Sequence, residues 1–131
     1  MEELVINADP KNIAKVENFI DLLQQKNNIS DDVFGNILIS VTEAVNNSII
    51  HGSKSDASKE VKVKYDILDG KKIVFYITDS GPGFNFSNLP DPTAPENIDS
   101  PCGRGVFLMK HLADLVIFSN NGNTVELHFK L

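Results

Sequence analysis

Apolar residues recur along this chain with two different periods. Up to residue 50 they come mostly every three or four positions, and from Val61 to Ile67 they alternate in twos. Ile13, Val16, Ile20 and Leu23 predict an amphipathic helix from Pro10 to about Lys26. Asp9 is its cap and Asn27-Asn28 breaks it. Ser30 caps a second helix, with Asp31 and Asp32 near its positive end. It runs to about Ile50 and stops at His51-Gly52. Leu4 to Asn7 reads as a short first strand. Val61, Val63, Tyr65 and Ile67 alternate with Lys62, Lys64 and Asp66, the pattern of a half-buried strand. Asp69-Gly70 signals a hairpin turn into Ile73 to Thr78, whose almost unbroken apolar run suits a central strand. Val106, Phe107, Met109, Leu112 and Ala113 predict a helix from Arg104 to Ala113. Leu115 to Ser119 and Thr124 to Lys130 then form a hairpin about Asn121-Gly122. Residues Asp79 to Cys102 hold five of the six prolines and predict a long loop, the usual form of a functional lid.

On a wheel at roughly 100° per residue, Val33, Ile37, Val41, Ala44, Val45 and Ile49 form a wide apolar face of the second helix. Ile39 and Ile50 fall on the far side. Between them runs a narrow polar stripe of Asn36, Ser40, Glu43, Asn47 and His51, stacked neighbours at three- and four-residue spacing. Apolar residues on both edges of a stripe suggest a helix packed on two sides. A carboxylate buried there needs a partner, such as a bound cation or a substrate hydroxyl. Taken alone, the stripe reads more readily as the solvated face of a surface helix.

Two glycine turns follow. Asp79-Ser80-Gly81-Pro82-Gly83-Phe84 places a carboxylate at a strand end, able to accept a hydrogen bond from a ligand amino group. Its glycines let the backbone approach a planar ring. Gly103-Arg104-Gly105 opens a helix, where free N–H groups favour an anion and Arg104 adds a charged donor. Alone, the first is as well explained by an ordinary turn and the second by a capping turn. Neither a G-x-G-x-x-G fingerprint between strand and helix nor a Walker A loop occurs.

Bulk properties narrow the class. A length of 131 residues suits one domain with a real core. A net charge of −6 argues against a general nucleic-acid backbone binder. The single cysteine, Cys102, excludes an intrachain disulfide and a multi-cysteine metal site, and reads as an incidental thiol. No apolar run is expected to reach the roughly 20 residues of a membrane span. The acidic start Met1-Glu2-Glu3 is unlike a secretory leader, so the cytosol is the expected compartment. His51 reads as the end of its helix, and His111 and His128 as ordinary helix and strand residues.

Taken together the motifs carry a resemblance. Glu43-Ala-Val-Asn46-Asn47-Ser-Ile-Ile-His51-Gly52 resembles the N box of the GHKL ATPases, the superfamily of gyrase, heat-shock chaperones, histidine kinases and MutL. Asp79-Ser-Gly81-Pro-Gly83-Phe84 resembles its first glycine box, and Gly103-Arg104-Gly105-Val-Phe-Leu-Met its second. Within the superfamily the chain is most similar to the small bacterial anti-sigma-factor serine kinases of partner-switching systems. The resemblance implies an α+β sandwich, the Bergerat fold, with helices on one face of a mixed, largely antiparallel sheet. It implies ATP and Mg2+ as cofactors. Asn47 would hold the Mg2+ and Glu43 would act as general base toward a hydroxyl. Asp79 would bind the adenine amino group beside Gly81 and Gly83, and Gly103, Arg104 and Gly105 would hold phosphate. Thr124 resembles the family's threonine near adenine, and reads equally as a strand-favouring residue.

The implied partners are an anti-anti-sigma-like protein substrate, a sigma factor or other regulator, and a second copy in a homodimer, with neither nucleic acid nor membrane. One departure stands out. The lid before Gly103 lacks the arginine that related kinases place toward the terminal phosphate. Three functions are therefore expected in order: a serine/threonine kinase and anti-sigma factor, a nucleotide-gated module that sequesters a regulator with little catalysis, and a detached histidine kinase ATPase domain.

Overall fold

A computed structural model of the protein describes residues 2–52, 56–80, 104–119 and 123–131. Strand β1 spans Glu2–Asn7. A short 3-10 turn, Pro10–Asn12, leads into α1, Ile13–Asn27, and then comes α2, Asp31–Asn47. The helix continues as a π turn over Ser48–Gly52. Strands β2 (Glu60–Leu68) and β3 (Lys72–Asp79) form a hairpin. Helix α3 (Arg104–Leu112) precedes β4 (Leu115–Ser119) and β5 (Thr124–Lys130). Gly81, Gly83, Gly103, the segment from Phe84 to Cys102 and the Asn121-Gly122 turn lie outside the described residues.

The five strands form one sheet in the order β1-β2-β3-β5-β4, and every pairing is antiparallel. The expected mixed sheet is thus corrected. Each described strand runs opposite to its neighbour, with β3 at the centre. Asp69 and Gly70 both have positive φ, 55° and 66°, in the tight turn that sets the β2–β3 register. That register puts Val61, Val63 and Tyr65 opposite Asp79, Ile77 and Phe75. Val125, Leu127 and Phe129 continue the same face on β5, opposite Ile77, Phe75 and Ile73. All these apolar residues are buried. Tyr65, Phe75 and Phe129 meet in series along the face, the first pair tilted and the second edge-to-face, with centroids 5.9 and 6.1 Å apart.

The helices cover this face. Val16, Ile20 and Leu23 of α1, Ile37, Val41, Ala44 and Val45 of α2 and Met109 of α3 join one core with the inward strand residues. Ser30 caps α2, its hydroxyl accepting from the Val33 N–H. Asp31–Ile50 has the length and mean hydropathy, 1.2, of a membrane span, contrary to the expected absence of such a run. Here the apolar side of that segment lies on the sheet, as in the core helix of a globular fold. The polar edge of β1 is tied down differently. Lys26, at the end of α1, donates to the Glu2 carboxylate. The contact draws the Glu2 carboxyl below the ordinary carboxylate range and raises the Lys26 ammonium. Its contribution is present above the ordinary carboxylate range and below the ordinary lysine range. It is lost as pH falls through the lowered Glu2 value or rises through the raised Lys26 value.

Gly35 sits inside α2, where an added Cβ would meet nothing within 4 Å. Gly35→Ala is therefore expected to stabilise the protein by about 0.5–1 kcal/mol. Gly70→Ala, at a φ of 66°, is expected to destabilise it by about 1–2 kcal/mol. Urea-unfolding midpoints of the two variants check both signs.

Candidate functional site

Topology gathers the chemistry-bearing residues at one end of the sheet. Strand β3 begins beside the Asp69-Gly70 turn and ends at Asp79. Val33, in the first turn of α2, lines a hollow together with Gly70 and the last residue, Leu131. Helix α2 therefore starts at the hairpin end and runs along β3 toward Asp79, and its π turn packs on β3. Helix α3 packs on α2. It leads into β4, whose first residue, Leu115, pairs with His128 and whose last, Ser119, pairs with Thr124. Thr124 itself pairs with Thr78. The Arg104-Gly105 start of α3 thus points back to the Asp79 end. The carboxyl-terminal turns of α2, the first turn of α3 and the end of β3 converge there.

On α2, Glu43 and Asn47 stand one turn apart and half-buried, while Ser40 of the same stripe is fully buried. The structure packs α2 between α1 and α3, so the stripe is not the solvated face of a surface helix. The far-side residues behave differently from expectation. Ile39 and Ile50 remain 44% and 46% exposed, because the second packed side follows Ser40 rather than the isoleucines. Past Asn47 the helix widens. The Ser48 N–H is shared between the carbonyls of Ala44 and Val45, and a π turn over Ser48–Gly52 brings the helical path to its end at the expected His51-Gly52. Single-turn π segments recur at functional sites. The regular wheel gave no sign of it.

Asp79 is the last of the inward-facing residues of β3 and only 3% exposed. Its N–H donates to the carbonyl of Asn123 at 3.0 Å. Next to it, Ser80 bonds Glu60 through both its N–H and its hydroxyl, which pins the strand end. A carboxylate so enclosed is costly without polar company, and the bonded strand end fixes where it sits at this end of the sheet.

Thr124 is not brought to Asp79. Its hydroxyl meets that of Thr78 at 3.3 Å on the outer, helix-free face. The strand therefore puts the Thr124 hydroxyl on the face away from Asp79. The reason is the two-residue period of a strand: Val125, Leu127 and Phe129 face the helices, so Thr124 must face away. The residue opposite Asp79 on the helix face is Asn123. Its side-chain Oδ1 is fully buried and accepts no hydrogen bond. Counting back by two from Val125 would have found it.

Among the described residues no group of three or more His, Cys, Asp or Glu side chains is placed to hold a metal. A cation here would take few protein ligands. The half-buried amide of Asn47 suits Mg2+, which keeps most of its water and binds phosphate oxygens alongside one or two protein atoms.

Comparison with known proteins agrees with this architecture. The family model described as histidine kinase-like ATPase domain matches residues 6–129. Serine-protein kinase RsbW of Bacillus velezensis is 26% identical over 132 residues, covering 95% of this chain and 82% of that protein. The anti-sigma F factor of Anoxybacillus flavithermus is 39% identical over 94 residues, 66% of this chain and 62% of its own length. Among solved structures, the RsbU and RsbW domains of a Mycobacterium tuberculosis protein superpose with a TM-score of 0.67 at 11% identity. That match covers 99% of this chain and 32% of the other. The histidine kinase domain of a blue-light activated histidine kinase from Erythrobacter litoralis gives 0.54 at 14% identity, covering 96% of this chain and 61% of the other. At such identities the superpositions bear on the fold.

The opposed placement of Asn123 and Thr124 is directly testable. Asn123→Ala is expected to weaken ATP binding about tenfold, the worth of one well-placed hydrogen bond. Thr124→Val is expected to change it less than about twofold, since that hydroxyl faces away. Titration calorimetry of the two variants decides. Equal losses would remove Asn123 from the site.

Proposed function

The chain belongs to the histidine kinase-like ATPase family, and from that premise we propose that it is an ATP-dependent serine/threonine protein kinase that doubles as an anti-sigma factor. The observation that carries this reading is the placement of Glu43 and Asn47. They stand one turn apart on α2, half-buried, at the sheet end shared with Asp79 and the start of α3. Relatives named serine-protein kinase RsbW and anti-sigma F factor support it.

In this reading Asp79 accepts a hydrogen bond from the adenine amino group, beside Asn123, and Gly81 and Gly83 shape the ring pocket. Gly103, Arg104 and Gly105, at the head of α3, hold phosphate through backbone N–H groups and charge. Asn47 holds Mg2+, which when bound neutralises charge on the phosphates. Glu43 accepts the proton of a substrate serine hydroxyl as its oxygen bonds the terminal phosphorus. The bond from that phosphorus to the bridging oxygen breaks, and ADP leaves with the electron pair. Such transfer depends on alignment and charge neutralisation more than on covalent help from the protein. The substrate is an anti-anti-sigma-like protein, the second partner a sigma factor, and the setting the cytoplasm.

One observation favours a second reading, a nucleotide-gated module that sequesters its partner with little turnover. Between Asp79 and Cys102 the chain holds no lysine, arginine or histidine, so the lid brings no cation to the terminal phosphate.

Incubation with candidate anti-anti-sigma proteins and labelled ATP separates the two. Glu43→Gln is expected to lower transfer by about 10²–10⁴-fold, the usual worth of a positioned base, with ATP affinity retained. Transfer that is absent, or indifferent to Glu43, would instead favour sequestration.

A further inference from the structure

Helix α2 presents a second surface beside its polar stripe. Ile13 and Glu17 of α1 and Leu38, Ile39, Thr42, Glu43 and Asn46 of α2 line an open trough of about 350 Å³ between the two helices. Its floor is apolar, because Ile13 and Leu38 pack onto the core from its edge. Its flank carries Ile39, a large aliphatic side chain left 44% exposed. Thr42 spends its hydroxyl on the carbonyl of Leu38 at 2.7 Å, which leaves the trough few free donors. Of the three remaining polar side chains, Glu17 and Glu43 are acidic and Asn46 is a neutral amide.

Glu43 belongs to the trough and to the stripe at once. At roughly 100° per residue, Asn36, Ser40 and Asn47 lie clockwise of it, and Ile39 and Asn46 lie counter-clockwise. A group seated in the trough therefore abuts the same carboxylate that faces the nucleotide end of the sheet. Resting on the kinase reading above, we propose that this trough seats the segment of the protein substrate that bears the phosphoacceptor hydroxyl. The chemistry specifies the occupant. It places a serine at Glu43, an aliphatic side chain over Leu38 against Ile39, and a cationic side chain beside Glu17. A small-molecule ligand fits less well. Three of the seven lining residues are aliphatic, and the two carboxylates would repel the anionic groups of most metabolites.

The test compares Ile39→Asp and Glu17→Lys with the unaltered protein, using a purified anti-anti-sigma protein that the unaltered chain phosphorylates. Both variants are expected to raise KM for the protein substrate about tenfold, as loss of an apolar anchor or reversal of a facing charge does. KM for ATP and kcat should stay within about twofold, and thermal melting should be unchanged. Reversing a cationic residue of the substrate should restore KM with Glu17→Lys and not with Ile39→Asp. An unchanged KM for the protein substrate in both variants overturns the proposal while leaving the kinase reading intact. A dimer of the unaltered protein that Ile39→Asp dissociates also overturns it, because a second copy would then fill the trough. If no candidate protein is phosphorylated by the unaltered chain, the kinase reading falls and takes the proposal with it.

Discussion

Strand register is the constraint on which this site depends. The Asp69-Gly70 turn, with two successive residues at positive φ, fixes how β2 meets β3. The pleat then decides which side of the sheet each residue takes. Ile73, Phe75 and Ile77 fall on the side that the helices cover, and Asp79 is the next residue in that series. A slip of one residue would carry the aromatic core to solvent and the acid to the outer face together. The force that holds Asp79 inward is therefore the burial of the three apolar residues before it. An acid at the end of such a run is held where it would not go on its own preference. The bonds from Ser80 to Glu60 keep the strand end from fraying there.

Helix α2 converts that fixed edge into a site. It lies across the covered face in the direction of β3, anchored through Ile37, Val41, Ala44 and Val45. Its angular position is set by that apolar face, and the stripe follows at a fixed rotation from it. Glu43 and Asn47 are consequently aimed by residues that have no chemistry of their own. Packing on both flanks, against α1 and α3, also accounts for the buried Ser40. Its hydroxyl finds no hydrogen-bonding partner, a local cost that the surrounding apolar contacts outweigh.

How much of this was legible beforehand follows from the range of the forces involved. Elements governed by local periodicity read well. The alternating strands, the hairpin at Asp69-Gly70 and the cap at Ser30 all stand where their residues predict. Properties that depend on contacts between distant segments read less well. The exposure of Ile39 and Ile50 depends on where α1 and α3 lie, which no wheel contains. The all-antiparallel sheet depends on chain crossings rather than on any strand's composition. Thr124 is a different case. The motif suggested the residue, and the alternation of Val125, Leu127 and Phe129 puts its side chain on the outer face. Asn123 stood in plain view as the position of correct parity.

The π turn at Ser48–Gly52 bears on how such a chain tolerates change in length. Each residue added to or removed from a helix rotates everything beyond it by roughly 100° and advances it by about 1.5 Å. A π turn is a helix that has accepted one extra residue and absorbed the rotation locally, here over Ser48–Gly52. Deleting a residue from Ser48–Gly52 would restore a regular α-helix and swing the exit of the chain away from β3. The segment is thus constrained in its residue count, and at Ile49, fully buried in the core, in its residue identity as well.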